Sequence, residues 1–296
     1  MNRKHSLYYV EFYITNVCNL TCQGCNRFNS FKFKGWQRWS DYVDVYKKWS
    51  EQIRFKEIAI MGGEPFLNNT IYDWIEGLAT LWPDAAICLT TNGTQIEKHP
   101  NLYEILDKYR QVDLDISLHN KKTKNQIIEK VSNILVPPLR YDFDNTQYRE
   151  TLRVTDSNGV SIIFRYAWWF HQGAIVKDLN TNKYTLHNSN VEKAHELCHA
   201  KYCHHMDKGK LYKCGPAALF KEFDKQFDLD LSESDRNLIN STPYITVDDS
   251  YDKKTIFLEN IKNPIPQCKF CPEVYNGEQI FSIEKKNYEN FICFWL

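Results

Sequence analysis

Three cysteines within eight residues, Cys18, Cys22 and Cys25, constrain this chain more than any other feature. They form a CxxxCxxC run, Cys18-Asn19-Leu20-Thr21-Cys22-Gln23-Gly24-Cys25. The run directly follows residues 7–15, a β-branched and aromatic segment that reads as a strand. A loop that gathers three thiols at a strand end can wrap one small metal group. The bland alternatives are a zinc site short of its fourth ligand and a chance group of buried thiols. Ten cysteines in 296 residues would suggest disulfides in an exported chain. No hydrophobic signal segment stands at the start and no run of about 18 apolar residues could span a bilayer. The expectation is therefore a cytoplasmic protein, without membrane attachment, whose cysteines bind metal or perform redox chemistry.

Lysine plus arginine balances aspartate plus glutamate at 37 each. No net field draws the chain onto polyanions, so nucleic acid as a bulk partner is disfavoured. The many aromatic residues fall in periodic apolar segments such as 8–13 and 162–169, which assigns most of them to the core.

Residues 40–52 read as a helix capped by Ser40, and 57–61 as a short strand ended by Gly62 and Gly63. The rhythm continues with a helix over 70–81, a strand over 86–91, a helix over 102–109, a strand over 112–118 and a helix over 121–135. Such alternation specifies an α/β fold with a parallel sheet flanked by helices. Pro137 and Pro138 break it, and 151–169 then reads as two strands joined around Ser157, Asn158 and Gly159. From about residue 186 the rhythm is lost and cysteines dominate again.

The cysteine triad resembles the signature of the radical S-adenosylmethionine (radical SAM) superfamily. In that family it lies in the loop after the first strand of a partial (βα)6 barrel and holds a [4Fe-4S] cluster whose fourth iron stays open. The resemblance extends to Gly62-Gly63-Glu64-Pro65, similar to the family's GGEP segment, where glycine backbone and a carboxylate receive the amino group of SAM. Thr90-Thr91-Asn92-Gly93 and Asp115-Ile116-Ser117-Leu118-His119 are similar to segments lining the cofactor pocket. By the same resemblance Ser117 contacts the ribose or carboxylate, and Arg165 stands where relatives hold the methionine carboxylate. The implied cofactor residues are Gly62, Gly63, Glu64, Pro65, Asn92, Ser117, His119 and Arg165. Taken singly, each motif can also be a turn or a satisfied polar group. All lie at strand C-termini, where barrel enzymes concentrate their chemistry.

A second constellation contains Cys198, Cys203 and Cys214, then Cys268 and Cys271 in a CxxC. Residues 202–206 and 210–214 read as a hairpin turning near Asp207-Lys208-Gly209. The pattern resembles the twitch extension, half of the longer SPASM domain, which holds an auxiliary [4Fe-4S] cluster. The family's spacing implies Cys198, Cys214, Cys268 and Cys271 as ligands, with Cys203 as the alternative to Cys198. A two-residue turn puts Cys203 opposite Cys214, whereas a three-residue loop turns it away. A structural zinc site is the competing reading. Cys88 and Cys293 read as buried small hydrophobes, and His204 and His205 as polar hairpin residues.

The implied organisation is a radical SAM core over residues 1–185 and an α+β auxiliary-cluster domain over 186–296. The implied activity is reductive cleavage of SAM to a 5'-deoxyadenosyl radical that abstracts hydrogen from a substrate. The leading expectation is oxidation or rearrangement of a small molecule aided by the auxiliary cluster, with a reduced flavodoxin or ferredoxin as electron donor. Peptide or protein side-chain modification is the rival, weakened because the first strand begins almost at once and leaves no room for a leader-binding domain. A nucleotide substrate is third, and a non-catalytic cluster-binding protein last. Tyr166, Trp168, His119 and His171 are acid-base candidates by position only.

Overall fold

The computed structural model describes residues 5–22, 25–29, 33–119, 122–146, 149–166, 174–177 and 183–274. The chain divides into two compact units, Met1–Asn19 with Lys34–Trp169, and Leu20–Phe33 with Phe170–Leu296. Among the described residues no helix is long and apolar enough to cross a membrane.

The first unit alternates strands and helices as its sequence pattern requires: β1 (His5–Tyr13), α1 (Val43–Gln52), β2 (Ile53–Met61), α2 (Ile71–Leu81), β3 (Ala86–Thr91), α3 (Leu102–Lys108), β4 (Val112–Leu118) and α4 (Lys124–Ser132). Three further strands follow, β5 (Arg140–Thr146), β6 (Arg149–Thr155) and β7 (Ser161–Tyr166). Their order in the sheet is β1-β2-β3-β4-β7-β6-β5. Five of these strands are parallel neighbours among the described residues, and β6 and β5 run antiparallel beyond β7. The turn at 157–159 lies where expected, with Gly159 at φ 85. β5 was hidden in the sequence because it is an edge strand whose aromatic residues face water: Phe143 is 73% exposed. Ser40 does not cap α1. A 3₁₀ turn over Trp39–Asp41 intervenes, and Tyr42 occupies the N-cap.

Period-2 alternation divides this sheet into two unlike faces. Val10, Phe12, Ile58, Ile60, Ile87, Leu89, Leu114, Ile116, Ile162 and Phe164 are buried apolar residues. Phe12 meets Tyr46 of α1 at 5.2 Å between ring centroids and Trp82 at 5.7 Å. The opposite face mixes Tyr9, Tyr13, Ala59 and Ile163 with a group of polar residues, Glu11, Cys88, Thr90, Asp113, Asp115, Ser117 and Arg165. The register sets Cys88 beside Asp113, Thr90 beside Asp115, and Ser117 beside Arg165.

The second unit contains a small antiparallel pair, β8 (Ile175–Lys177) with β9 (Tyr184–Leu186), then α5 (Val191–Glu196) and a 3₁₀ turn at His199–Tyr202. The hairpin of β10 (His204–Asp207) and β11 (Lys210–Tyr212) turns on two residues, Lys208 at φ 49 and Gly209 at φ 74, the left-handed pair a type I′ turn demands. α6 (Gly215–Phe227), α7 (Glu233–Asn240), β12 (Tyr244–Thr246), α8 (Tyr251–Asn260) and a 3₁₀ turn at Pro266–Phe270 complete it. Residues 20–33 group with this unit rather than with β1. The Phe28 ring lies 5.9 Å from Phe220 and 5.1 Å from Phe223, and Phe33 lies 5.5 Å from Phe223, all against α6. By compactness the second unit takes in residues 20–33 together with the chain from Phe170 onward.

Gly77 of α2 exposes a packing limit in the first unit. A Cβ there would stand 2.1 Å from the Trp39 ring, which is stacked on Tyr46 and edge-on to Trp74. Gly77→Ala gains about 1 kcal/mol of helix propensity but forces an overpacked aromatic cluster. We expect a net loss of about 1–2 kcal/mol. A thermal midpoint equal to or above that of the wild type would show that the Trp39 ring yields.

Candidate functional site

The loop after β1 is held by the loop after β2. Gly63 N donates to Thr15 O at 2.8 Å and Glu64 N to Val17 O at 2.7 Å, extending the parallel pairing of β1 and β2 past both strand ends. A Cβ on Gly62 would lie 2.4 Å from Thr15 O, and one on Gly63 would lie 2.1 Å from Val17 O and 3.0 Å from Cys18 Cβ. The two glycines are therefore required by the approach of the chain to itself, immediately before Cys18. Both remain half-exposed. Pro65 and Phe66 are buried in the following 3₁₀ turn.

Glu64 is 0% exposed, and its carboxylate serves the protein. Oε1 accepts from Phe66 N at 3.1 Å and Thr91 Oγ1 at 2.5 Å, and Oε2 accepts from Asn92 N at 2.8 Å. Burial pushes this carboxyl up to about 7, against the three donors that pull it down. Asn92 in turn donates from Nδ2 to Asn19 Oδ1 at 2.9 Å, and Asn19 donates to Thr94 Oγ1 at 2.8 Å. Glu64 and Asn92 thus connect the ends of β2 and β3 to the residue next to Cys18. Gly93, at φ 76, leaves no room for a side chain, since a Cβ would fall 2.8 Å from Ile127 and 2.9 Å from Ile116.

Cys18, Cys22 and Cys25 are reduced thiols of intermediate exposure. Cys18 belongs to the first unit and the other two to the second. Cys25 Sγ lies 3.8 Å from Asn29 Oδ1, and the Cys25–Phe28 turn is closed by Phe28 N donating to Cys25 O at 3.0 Å. Three reduced, partly accessible thiols are a donor set suited to iron.

On the polar face of the first unit, Arg165 Nε donates to Asp115 Oδ2. The Asp115 side chain is 4% exposed and that of Arg165 11%. Burial lifts the Asp115 carboxyl and Arg165 draws it back. Asp115 Oδ1 is buried without a hydrogen-bond partner. Cys88 Sγ lies 3.7 Å from Asp115 Oδ2 and 3.5 Å from Thr90 Oγ1, and burial followed by the Asp115 charge pushes its thiol far up. Ser117 stands beside Arg165 in register, and His119 lies just past β4. Cys88 is buried as expected, yet it sits in a polar cluster that the sequence reading missed. The signal was present as alternation: a strand covered on both faces should be apolar throughout, and Asp113-Leu114-Asp115-Ile116-Ser117 is not. Tyr166 ends β7. Trp168, His171 and Cys293 lie outside the described residues.

In the second unit Cys198, Cys214, Cys268 and Cys271 line one cavity with Lys201, Lys213 and Gln267. The hairpin has the two-residue turn that extrapolates Cys203 opposite Cys214. Cys203 nevertheless precedes β10 as the C-cap of a 3₁₀ turn, is disulfide-bonded, and does not line the cavity. Cys198 opens that turn and Cys214 caps α6. Burial first, then the mutual repulsion of the thiols, pushes Cys198 up to about 11 and Cys214 up to about 12, while the Ala200 and Ala217 amides lower them. Four thiols lining one cavity are a donor set suited to a metal group. Among the described residues no three or more Cys, His, Asp or Glu side chains converge closely enough to hold a single metal ion. His204 and His205 lie in the hairpin and are both buried, and His204 Nδ1 donates to Lys213 O at 2.9 Å.

Glu64→Gln replaces an acceptor by a donor facing an N–H, so it is expected to cost about 1–3 kcal/mol. The Glu64 carboxyl titrates near 7 in the fold against 4.5 for the ordinary group. Its protonated form is favoured by folding, so that contribution is complete below about pH 4.5 and is lost as pH rises through about 7. Thermal unfolding of wild type and variant between pH 4.5 and 8 checks this. A stability difference that does not change with pH would rule out titration of Glu64.

Residues 12–131 match the family described as Radical SAM superfamily. The chain is 27% identical over 124 residues to a GTP 3',8-cyclase of Aliarcobacter butzleri, covering 41% of this chain and 38% of the relative. It is 30% identical over 144 residues to a probable GTP 3',8-cyclase of Methanocaldococcus jannaschii, covering 44% and 47%. The chain thus spans less than half the length of these curated relatives. Among solved structures it is similar to BtrN in complex with AdoMet and 2-DOIA, at 13% identity and TM-score 0.44, covering 86% of this chain and 87% of that one. The cysteine triad and the glycine-held loop behind it lie within the segment, residues 12–131, that matches a Radical SAM superfamily domain.

Proposed function

We propose that this chain is a radical SAM enzyme that acts on a small polar molecule and carries a second iron-sulfur cluster. The observation that carries the reading is the Cys18 loop, pinned by Gly62, Gly63 and Glu64 through backbone hydrogen bonds, within a segment that matches the Radical SAM superfamily. When bound, the [4Fe-4S] cluster and SAM supply one-electron cleavage of a sulfonium to a 5'-deoxyadenosyl radical.

Cys18, Cys22 and Cys25 hold three irons in this reading. The exposed backbone of residues 62–63 meets the amino group of SAM, and the Glu64 carboxylate acts behind it as a positioning group. Asn92 fixes Asn19 and with it the first cysteine. Arg165 and Ser117, side by side at the ends of β7 and β4, take the carboxylate and ribose, with His119 and Pro65 bordering the pocket. Asp115, with one oxygen on Arg165 and the other unpartnered, offers an acceptor to a substrate hydroxyl or amine. Cys198, Cys214, Cys268 and Cys271 hold the auxiliary [4Fe-4S] cluster, and a reduced flavodoxin or ferredoxin delivers the electron.

A nucleotide substrate is the second reading. It is favoured by the names of the curated relatives, over the 41% and 44% of this chain that they align with.

Anaerobic purification and reconstitution test both readings. The wild type is expected to hold about eight irons per chain, and Cys18→Ala/Cys22→Ala/Cys25→Ala about four, with dithionite-dependent 5'-deoxyadenosine formation lost in the variant. Deoxyadenosine formation independent of the triad would overturn the first reading. Acceleration of that reaction by GTP would favour the second.

A further inference from the structure

Lys213 directly precedes Cys214, is 3% exposed, and lines the cavity shared by the four C-terminal thiols. Its Nζ donates to Ile261 O at 2.7 Å, and its own carbonyl is held by His204. Burying an ammonium against a single carbonyl is costly. A neighbouring anion is what offsets such a cost, and a cluster ligated by four thiolates carries net negative charge. We propose that Lys213 is the counter-charge of the C-terminal cluster and raises the midpoint potential of the cluster that the four cysteines bind. This rests on the auxiliary-cluster reading above.

The physical argument is one of charge. Reduction adds one electron to an already anionic group, and a fixed cation in a low-dielectric cavity lowers the cost of that electron. Backbone donors act in the same sense, since Ile265 N lies 3.5 Å from Cys268 Sγ. Lys201 lines the same cavity but is half-exposed, with its ammonium on Glu196 O at 3.2 Å, so water screens it more. The single electron comes from dithionite in the experiment and from the substrate radical in turnover.

The test uses the full chain with Cys18→Ala/Cys22→Ala/Cys25→Ala, which leaves only the C-terminal site. Lys213→Gln, Lys213→Arg and Lys201→Gln are added separately, and iron, zinc and sulfide are counted. Mediated redox titration followed by electron paramagnetic resonance then gives each midpoint. Lys213→Gln is expected to weaken reduction at least tenfold, a negative shift of about 59 mV for a one-electron couple. Lys213→Arg should stay near the parent, and Lys201→Gln should shift less than Lys213→Gln. Equal potentials in parent and Lys213→Gln, with iron retained, overturn the proposal and leave the cluster reading intact. Loss of iron from Lys213→Gln but not from Lys213→Arg supports it, whereas loss from both folded variants overturns it in favour of a packing role. Zinc in place of iron in the parent overturns the cluster reading itself.

Discussion

The backbone contact between residues 14–17 and 61–64 is the constraint on which the first unit's site depends. Parallel strands normally part once their ladder ends, yet here Ile14, Gly63 and Glu64 continue it with bonds of 2.7–2.9 Å. That continuation brings the carbonyls of Thr15 and Val17 to within 2.4 Å and 2.1 Å of where side chains at 62 and 63 would begin. No residue with a Cβ is compatible with that approach. The position of Cys18 is thus set by the absence of two side chains.

Behind this contact lies a buried carboxylate. Glu64 is costly to bury, and three donors from two loops share its two oxygens. The network serves geometry: two of the bonds tie the loop after β2 to the end of β3, and Asn92 carries the tie on to Asn19, next to Cys18. Asp115 and Arg165 repeat the device farther along the sheet, as a buried pair whose second carboxylate oxygen is left without a partner. One face of the sheet is an apolar core against aromatic residues, and the other carries a polar group that includes Glu11, Asp113, Asp115 and Arg165. The apolar face supplies the stability that lets the polar face be arranged for chemistry.

The second unit solves a different electrostatic problem. Burial pushes all four thiols around one cavity up, and neighbouring thiols add to it at Cys198, Cys214 and Cys271; a metal group bound there would act in the opposite sense. α6 organises this unit. Cys214 caps it, Phe220 and Phe223 receive Phe28 from the 20–33 loop, and Phe220 meets Phe270 of the CxxC turn at 5.7 Å.

The sequence by itself determined the local events. The βα alternation through α4, the hairpin at 157–159 and the Cys18-Cys22-Cys25 run were legible because each is set by residues adjacent in the chain. Residues remote from one another in sequence decided the rest. That Glu64 serves Thr91 and Asn92, that Asp115 takes Arg165, that Cys198 and not Cys203 lines the cavity, and that residues 20–33 group with α6 all required contacts across dozens to nearly two hundred positions. β5 escaped for a related reason. Its exposed aromatic residues obey no core periodicity, and only pairing with β6 makes them a strand. Periodicity and spacing record what a residue does with its neighbours in the chain, whereas partner choice among buried polar groups is settled only when the fold brings them together.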